Sequence, residues 1–117
     1  MYLAYDGDKV GSKLESLLID NIDAQIEEYA IEVSSALNTL EKALILKGCK
    51  ILFASGDSLL AKSNTAFDPK NINRKYGQIT FSLGVGSTPL NAMLALKKAK
   101  ASGFGKVFHF ELKENTK

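Results

Sequence analysis

Two short segments set carboxylates and a glycine at the ends of apolar runs: Tyr5-Asp6-Gly7-Asp8 and Ser55-Gly56-Asp57-Ser58. Each run reads as a strand, and strands distant in sequence often pair in one sheet, so the two turns can meet. Two adjacent carboxylates repel unless a cation lies between them. Hard oxygen donors at such a point suit Mg²⁺ or Mn²⁺ carrying a nucleoside triphosphate. If the turns converge, the chemistry is nucleotidyl transfer, with Asp6 and Asp57 as the catalytic, metal-holding pair. If they do not, Asp8 reads as a helix N-cap, Asp57 as the tip of a hairpin, and the chain as an ordinary small α+β domain.

The first turn offers more than a carboxylate. A helix is expected two or three residues after Asp6, which points the N–H groups of Lys9, Val10 and Gly11 and the positive end of the helix dipole toward the same space. Gly7 lets the backbone approach a ligand closely, and its carbonyl is a further hard ligand. Lys97, Lys98 and Lys100 close the last predicted helix; they complement its dipole, and one of them could instead reach a triphosphate. Cys49 stands alone, so it has no internal disulfide partner, and at the start of an apolar run it reads as a buried thiol. His109 reads as a surface or packing residue. No His/Cys cluster suggests zinc, and no GxxxxGK[ST] run suggests a P-loop.

These residues need positioning elements. Residues 2–5 form a first strand. Val10, Leu14, Leu17 and Leu18 share one helical face, and Asp20-Asn21 interrupts that helix. Ile22, Ile26, Tyr29, Val33, Leu37, Leu40 and Leu44 then hold a stripe for about six turns, with Gly48 as the stop. Cys49 to Ala54 reads as a central strand, and Leu59 to Lys62 returns from it as a hairpin. Residues 64–78 read as a loop or short helix. Gln78 to Val85 alternates strictly, predicting a strand with one covered face and one open face carrying Thr80, Ser82 and Gly84. Thr88 and Pro89 open a helix to about Ser102, with Leu90, Met93, Leu94 and Ala101 expected on its core side. Val107 to Leu112 is a last strand, followed by a charged tail. The expectation is a ferredoxin-like α+β domain, an antiparallel-rich sheet with helices on one face.

The 117 residues suffice for one domain, 1–117, with a single core. A net charge of +2 gives no electrostatic case for a nucleic-acid polymer or an anionic membrane as partner. No apolar run reaches the roughly 18–20 residues of a membrane span. The first residues lack a basic region and a cleavage site, so no signal peptide is expected, and a cytoplasmic location is favoured.

In order along the chain, Tyr2–Gly11, Ser55-Gly56-Asp57-Ser58-Leu59, Ile79-Thr80-Phe81-Ser82-Leu83-Gly84-Val85 and Ala95-Leu96…Ala99-Lys100…Gly103 resemble the palm domain shared by GGDEF diguanylate cyclases and CRISPR-associated polymerases. The hairpin stands where GGDEF would stand, the strand is similar to VTxSIGV, and the helix end is similar to ALxxAKxxG. A palm of this size most resembles the minimal CRISPR polymerase family of prokaryotic anti-phage defence. The resemblance implies a nucleotidyltransferase that makes a cyclic dinucleotide from ATP by two-metal catalysis. It implies Asp6, the Gly7 carbonyl and Asp57 as metal ligands, with Lys9, Val10 and Gly11 holding phosphates and Lys100 as the phosphate lysine. Asp8, Gly56 and Ser58 border the same space and join the nucleotide-binding set.

The chain also departs from the cyclase pattern. Ser58 takes a usually acidic position, which either weakens the second metal site or leaves Asp8 to support it. Leu14 and Ile19 stand near the cyclases' guanine-reading Asn and Asp, which shifts the expected base to adenine. Phe104 replaces an arginine, so triphosphate binding rests on Lys100 and Lys106. Because two triphosphates must meet head to tail, a homodimer is the simplest assembly. Two other readings stay open: a palm-derived module that binds or senses a nucleotide without turnover, favoured by Ser58, and an interaction domain that binds none.

Overall fold

The computed structural model describes residues 1–103 and 105–110. Phe104, the end of the expected last strand and the charged tail lie outside the described residues. The elements are β1 (Tyr2–Gly7), α1 (Val10–Asp20), α2 (Asp23–Leu46), β2 (Lys50–Ser55), β3 (Ser58–Lys62), a 3₁₀ turn (Pro69–Asn71), β4 (Lys75–Tyr76), β5 (Ile79–Gly86), α3 (Pro89–Ala101) and β6 (Val107–His109). The sheet runs β2-β3-β1-β5-β4, with β6 also on β5. Its pairs are antiparallel except β5 with β6, which are parallel. Among the described residues, no helix is long and apolar enough to cross a membrane.

The α+β palm arrangement is as the sequence predicts, and β1 is its axis. Leu3 and Tyr5 face α2 and join Leu59, Ala61, Phe81 and Leu83 in the core. The α2 stripe supplies Tyr29, Val33, Leu37, Leu40 and Leu44 as expected, whereas Ile22 is its exposed N-cap residue. The interruption between the first two helices falls at Asn21, whose φ of 56° lets its N–H reach Leu17 O and Leu18 O. Gly48, at φ 86°, turns the chain out of α2.

Four expectations need correction. The Cys49–Ala54 run is an edge strand, not a central one. Leu52 and Phe53 are exposed, and the register shifts between Ile51 and Phe53, so the apolar run does not reflect burial on two faces. The strand at 79–86 has no open face: Ser82 and Gly84 are buried because α3 crosses over them. Helices therefore cover both faces of the sheet, α2 on one and α3 on the other. The core side of α3 is Ala92, Ala95 and Ala99. Leu90, Met93 and Leu94 are 58%, 44% and 40% exposed, and Ala101 is exposed too.

The cause is close approach. A Cβ on Gly84 would collide with Ala92 O and Leu96 N, and one on Gly86 would stand 2.5 Å from Ala92 N. Backbone meets backbone there, so the helix turns alanine to the sheet and leaves its larger residues outside. The fourth correction is β4, which arises within the expected loop. It is two residues long and too short to carry a periodic signal.

Candidate active site

The two carboxylate turns converge at the C-terminal end of β1. β3 lies beside β1 with Asp6 opposite Ser58, and β5 lies on the other side with Asp6 opposite Ser82. Ser58 Oγ donates to Asp6 Oδ1 at 2.8 Å. The tip of the hairpin is fastened to β1 by Gly7, whose N–H donates to Asp57 O at 2.9 Å. A Cβ at Gly7 would lie 2.7 Å from Val10 Cγ2 and 3.0 Å from Asp57 Cβ, so glycine is what lets α1, β1 and the hairpin tip close on one point. Burial first, and then repulsion from Asp6, raise the Asp57 carboxyl above the usual carboxylate range.

Lys100 reaches this point from α3. Its Nζ stands 2.8 Å from Asp6 Oδ2, donates to Gly7 O at 2.9 Å and lies 3.7 Å from Asp8 Oδ1. Lys97 and Lys98 are exposed, so Lys100 is the member of the trio that reaches the site. The close seat of Ala92 and Leu96 on Gly84 is what brings this last turn of α3 down onto β1.

Asp8 does not cap α1. The N-cap is Lys9, in the left-handed region at φ 58° without a side-chain cap bond. The Asp8 N–H donates to Thr80 O, and its carboxylate accepts from Ser82 Oγ at 2.7 Å and Gly105 N at 2.8 Å. With its side chain 6% exposed, Asp8 ties α1, β5 and the loop before β6 together behind Asp6. Sequence reasoning missed two partners in this support. Ser82 was legible as the residue on Asp6's face of β5, had the register been known. Arg74, whose Nη1 donates to Phe81 O at 3.2 Å and Gly105 O at 2.9 Å, left no local signal.

On the α2 side, a cleft of about 510 Å³ opens over the pair. Asp6, Gly56 and Asp57 form one end, Val10, Gly11 and Leu14 the α1 wall, and Tyr29, Ala30, Val33 and Ser34 the α2 wall. The first N–H groups of α1, from Val10 onward, have no intrahelical acceptor. Sequence reasoning placed none of the α2 wall at the site, because Tyr29 and Val33 read as core stripe. Leu14 lines the cleft, but Ile19 is 76% exposed and is not part of it.

Among the described residues, no group of three or more His, Cys, Asp or Glu side chains converges. The donors present are two carboxylates and a main-chain carbonyl, all hard oxygens, and the Lys100 ammonium already sits on two of them. That set fits Mg²⁺ or Mn²⁺ sharing its remaining positions with water and phosphate oxygens.

The fold is that of a cyclase-type palm. It is similar to the active GGEEF domain of a diguanylate cyclase from Vibrio cholerae, at a TM-score of 0.57 and 14% identity over 96% of this chain and 83% of that one. The family model of the minimal CRISPR polymerase domain matches residues 2–110, and the chain belongs to that family. A comparison with curated protein sequences finds no significant match.

Proposed function

We propose that the chain is a metal-dependent nucleotidyltransferase that joins two nucleoside triphosphates, ATP by preference, into a cyclic dinucleotide of the cyclic di-AMP type for anti-phage defence in the cytoplasm. The observation that carries this reading is the convergence of Asp6, the Gly7 carbonyl, Asp57 and Lys100 on one point, with Asp6 and Asp57 lining one cleft. Family membership supports it.

Asp6, Gly7 O and Asp57 would hold two Mg²⁺ or Mn²⁺ ions. Bound there, the ions supply hydroxyl activation and neutralise charge developing on the α-phosphate and leaving group. Lys100 exchanges Asp6 for phosphate oxygens, as a point charge on a flexible stem can. Lys9, Val10, Gly11 and Gly56 frame the triphosphate, and the α1 N-terminus favours its charge. Ser58 orients Asp6, and Asp8 holds the supports behind it. A ribose hydroxyl oxygen of one ATP bonds to the α-phosphorus of the other. The bond from that phosphorus to the β-phosphate oxygen breaks, pyrophosphate leaves with the electron pair, and the hydroxyl proton passes to water. A second transfer closes the ring. Most of the acceleration comes from positioning and electrostatics. A homodimer with one ATP per site presents the two substrates head to tail.

Incubation with labelled ATP and Mn²⁺ tests this: a cyclic product that disappears in Asp57→Ala is expected. A second reading, nucleotide binding without turnover, is favoured by Ser58 in the usually acidic position. Binding without product would select it, and absence of binding would sink both.

A further inference from the structure

We propose that Tyr29 is a specificity-determining residue of the α2-side cleft: its hydroxyl hydrogen-bonds a ribose hydroxyl of the one nucleotide bound there, and so selects ribonucleotides over deoxyribonucleotides. The inference rests on the nucleotide site proposed above and names what its α2 wall recognises.

Tyr29 belongs to the core stripe of α2 and is 8% exposed, yet it also lines the cleft that holds Asp57. A buried phenol ordinarily finds a hydrogen-bond partner. Among the described residues none bonds to this hydroxyl, and it is not sealed inside the core as the Tyr5 hydroxyl is. Glu32, a turn along the same helix, is engaged elsewhere: its Oε2 accepts from the Gln78 N–H at 2.9 Å. Core packing uses the ring alone, so phenylalanine would serve the fold as well. The hydroxyl is left for whatever fills the cleft.

Its place in the cleft indicates which part of a nucleotide it meets. Asp6, Gly56 and Asp57 form the carboxylate end, where metal and phosphates are proposed. Val10 lies beside that end, against Gly7, and Leu14 stands a turn further along α1. Leu14, Ala30 and Val33 make the walls apolar, as the faces of a base require. Leu14 and Tyr29 are at matching distances from the Asn21–Ile22 link between the two packed helices. The phenol nevertheless feels the carboxylate end: burial first, and then the charges of Glu32 and Asp57, raise it above the usual tyrosine range. The hydroxyl thus lies where the carboxylate end gives way to apolar walls. In a nucleotide the ribose joins phosphate to base, so its hydroxyls fall at that junction. A phenol can both donate to and accept from a ribose hydroxyl. A buried polar group that a substrate hydroxyl satisfies discriminates against the analogue lacking it, because the group is then left unpaired.

The test is calorimetric titration of the full chain and of Tyr29→Phe, in Mn²⁺, with α,β-methylene-ATP and its 2′-deoxy and 3′-deoxy forms, whose bridging carbon blocks pyrophosphate release. Release from ATP itself is followed in parallel. Tyr29→Phe keeps the ring and should melt like wild type. Wild type should bind the ribose form about fivefold to tenfold tighter than one of the deoxy forms, as the loss of one hydrogen bond implies. The variant should bind the ribose form weaker by the same factor and the disfavoured deoxy form as wild type does, so that its preference disappears. A preference that survives in Tyr29→Phe, or equal binding of all three forms by wild type, overturns the assignment; pyrophosphate release from ATP would then leave the reaction standing. Equal weakening of all three forms in the variant puts the phenol on a phosphate or the base and overturns it too. The expected binding pattern without pyrophosphate release sinks the transfer reaction and leaves Tyr29 reading the ribose. If no form binds, both fall.

Discussion

Lys100 Nζ lies 2.8 Å from Asp6 Oδ2, on the carboxylate that the proposed metals need. The ammonium also donates a hydrogen bond to Gly7 O. A cation is thus already held at the two oxygens proposed to bind metal, and a metal bound there would compete with the lysine for them.

Lys100→Met should therefore separate two properties. Without nucleotide, Mn²⁺ binding followed by electron paramagnetic resonance should tighten severalfold, because the competing charge is gone. Product formation should fall at least tenfold, because the triphosphate loses its counter-charge. Both partners are partly exposed, so the change in folding stability should stay below about 1 kcal/mol. Weaker metal binding together with weaker activity would instead make Lys100 a scaffold residue.

Asp57 predicts a pH dependence of opposite sign to that of a salt-bridged acid. Its folded pKa is raised above 3.8 by burial and by Asp6. Between that value and the folded pKa the native state binds more of the proton, so the stability contributed by this group falls as pH rises through the window. Above it, the buried charge is a standing cost. In metal-free protein, Asp57→Asn should raise the melting temperature at pH 7 by about 2 °C and give no gain at pH 3, where the wild-type carboxyl is protonated. Mn²⁺ should stabilise wild type at pH 7 but not the variant.

Ser58→Asp probes the departure from the acidic pattern. It removes the donor to Asp6 Oδ1 and adds a third negative charge beside Asp6 and Asp57. Metal-free protein should lose about 1–2 kcal/mol at pH 7 in urea melts, and Mn²⁺ should restore more than it gives wild type. Ser58→Ala, which only frees Asp6 to rotate, should lower product formation about threefold to tenfold.

How much of this was legible in the sequence depended on whether a feature is local. Asp6, Gly7 and Asp57 stood out because strand, turn and glycine are adjacent in the chain. The break at Asn21, the stop at Gly48 and the Thr88–Pro89 helix start follow from single-residue backbone preferences, and all are present. What failed depended on which element covers which face. Leu90, Met93 and Leu94 read as the inner side of α3 because size normally predicts burial. The helix backbone rests directly on Gly84 and Gly86, and that depends on contact with a strand rather than on helical period. Asp8 read as a cap for the same reason: Ser82 and Gly105, which hold it, are 74 and 97 residues away.

Gly84→Ala tests the link between packing and chemistry. The added methyl would collide with the α3 backbone at Ala92 and Leu96, and neither a main-chain carbonyl nor an amide can rotate away as a side chain can. The helix must lift, which draws Lys100 off Asp6 and unseats Ala92 and Ala95. Destabilisation of about 3 kcal/mol or more is expected by denaturant titration, at the upper end for an overpacked core. Product formation should drop even at temperatures where the variant remains folded. For the stability measurement alone, a small-side-chain change at Gly11, where an added Cβ meets no atom within 4 Å, is the control for glycine replacement as such. If Gly84→Ala melts like wild type, α3 does not seat on β5 as described, and the positioning of Lys100 would need another cause.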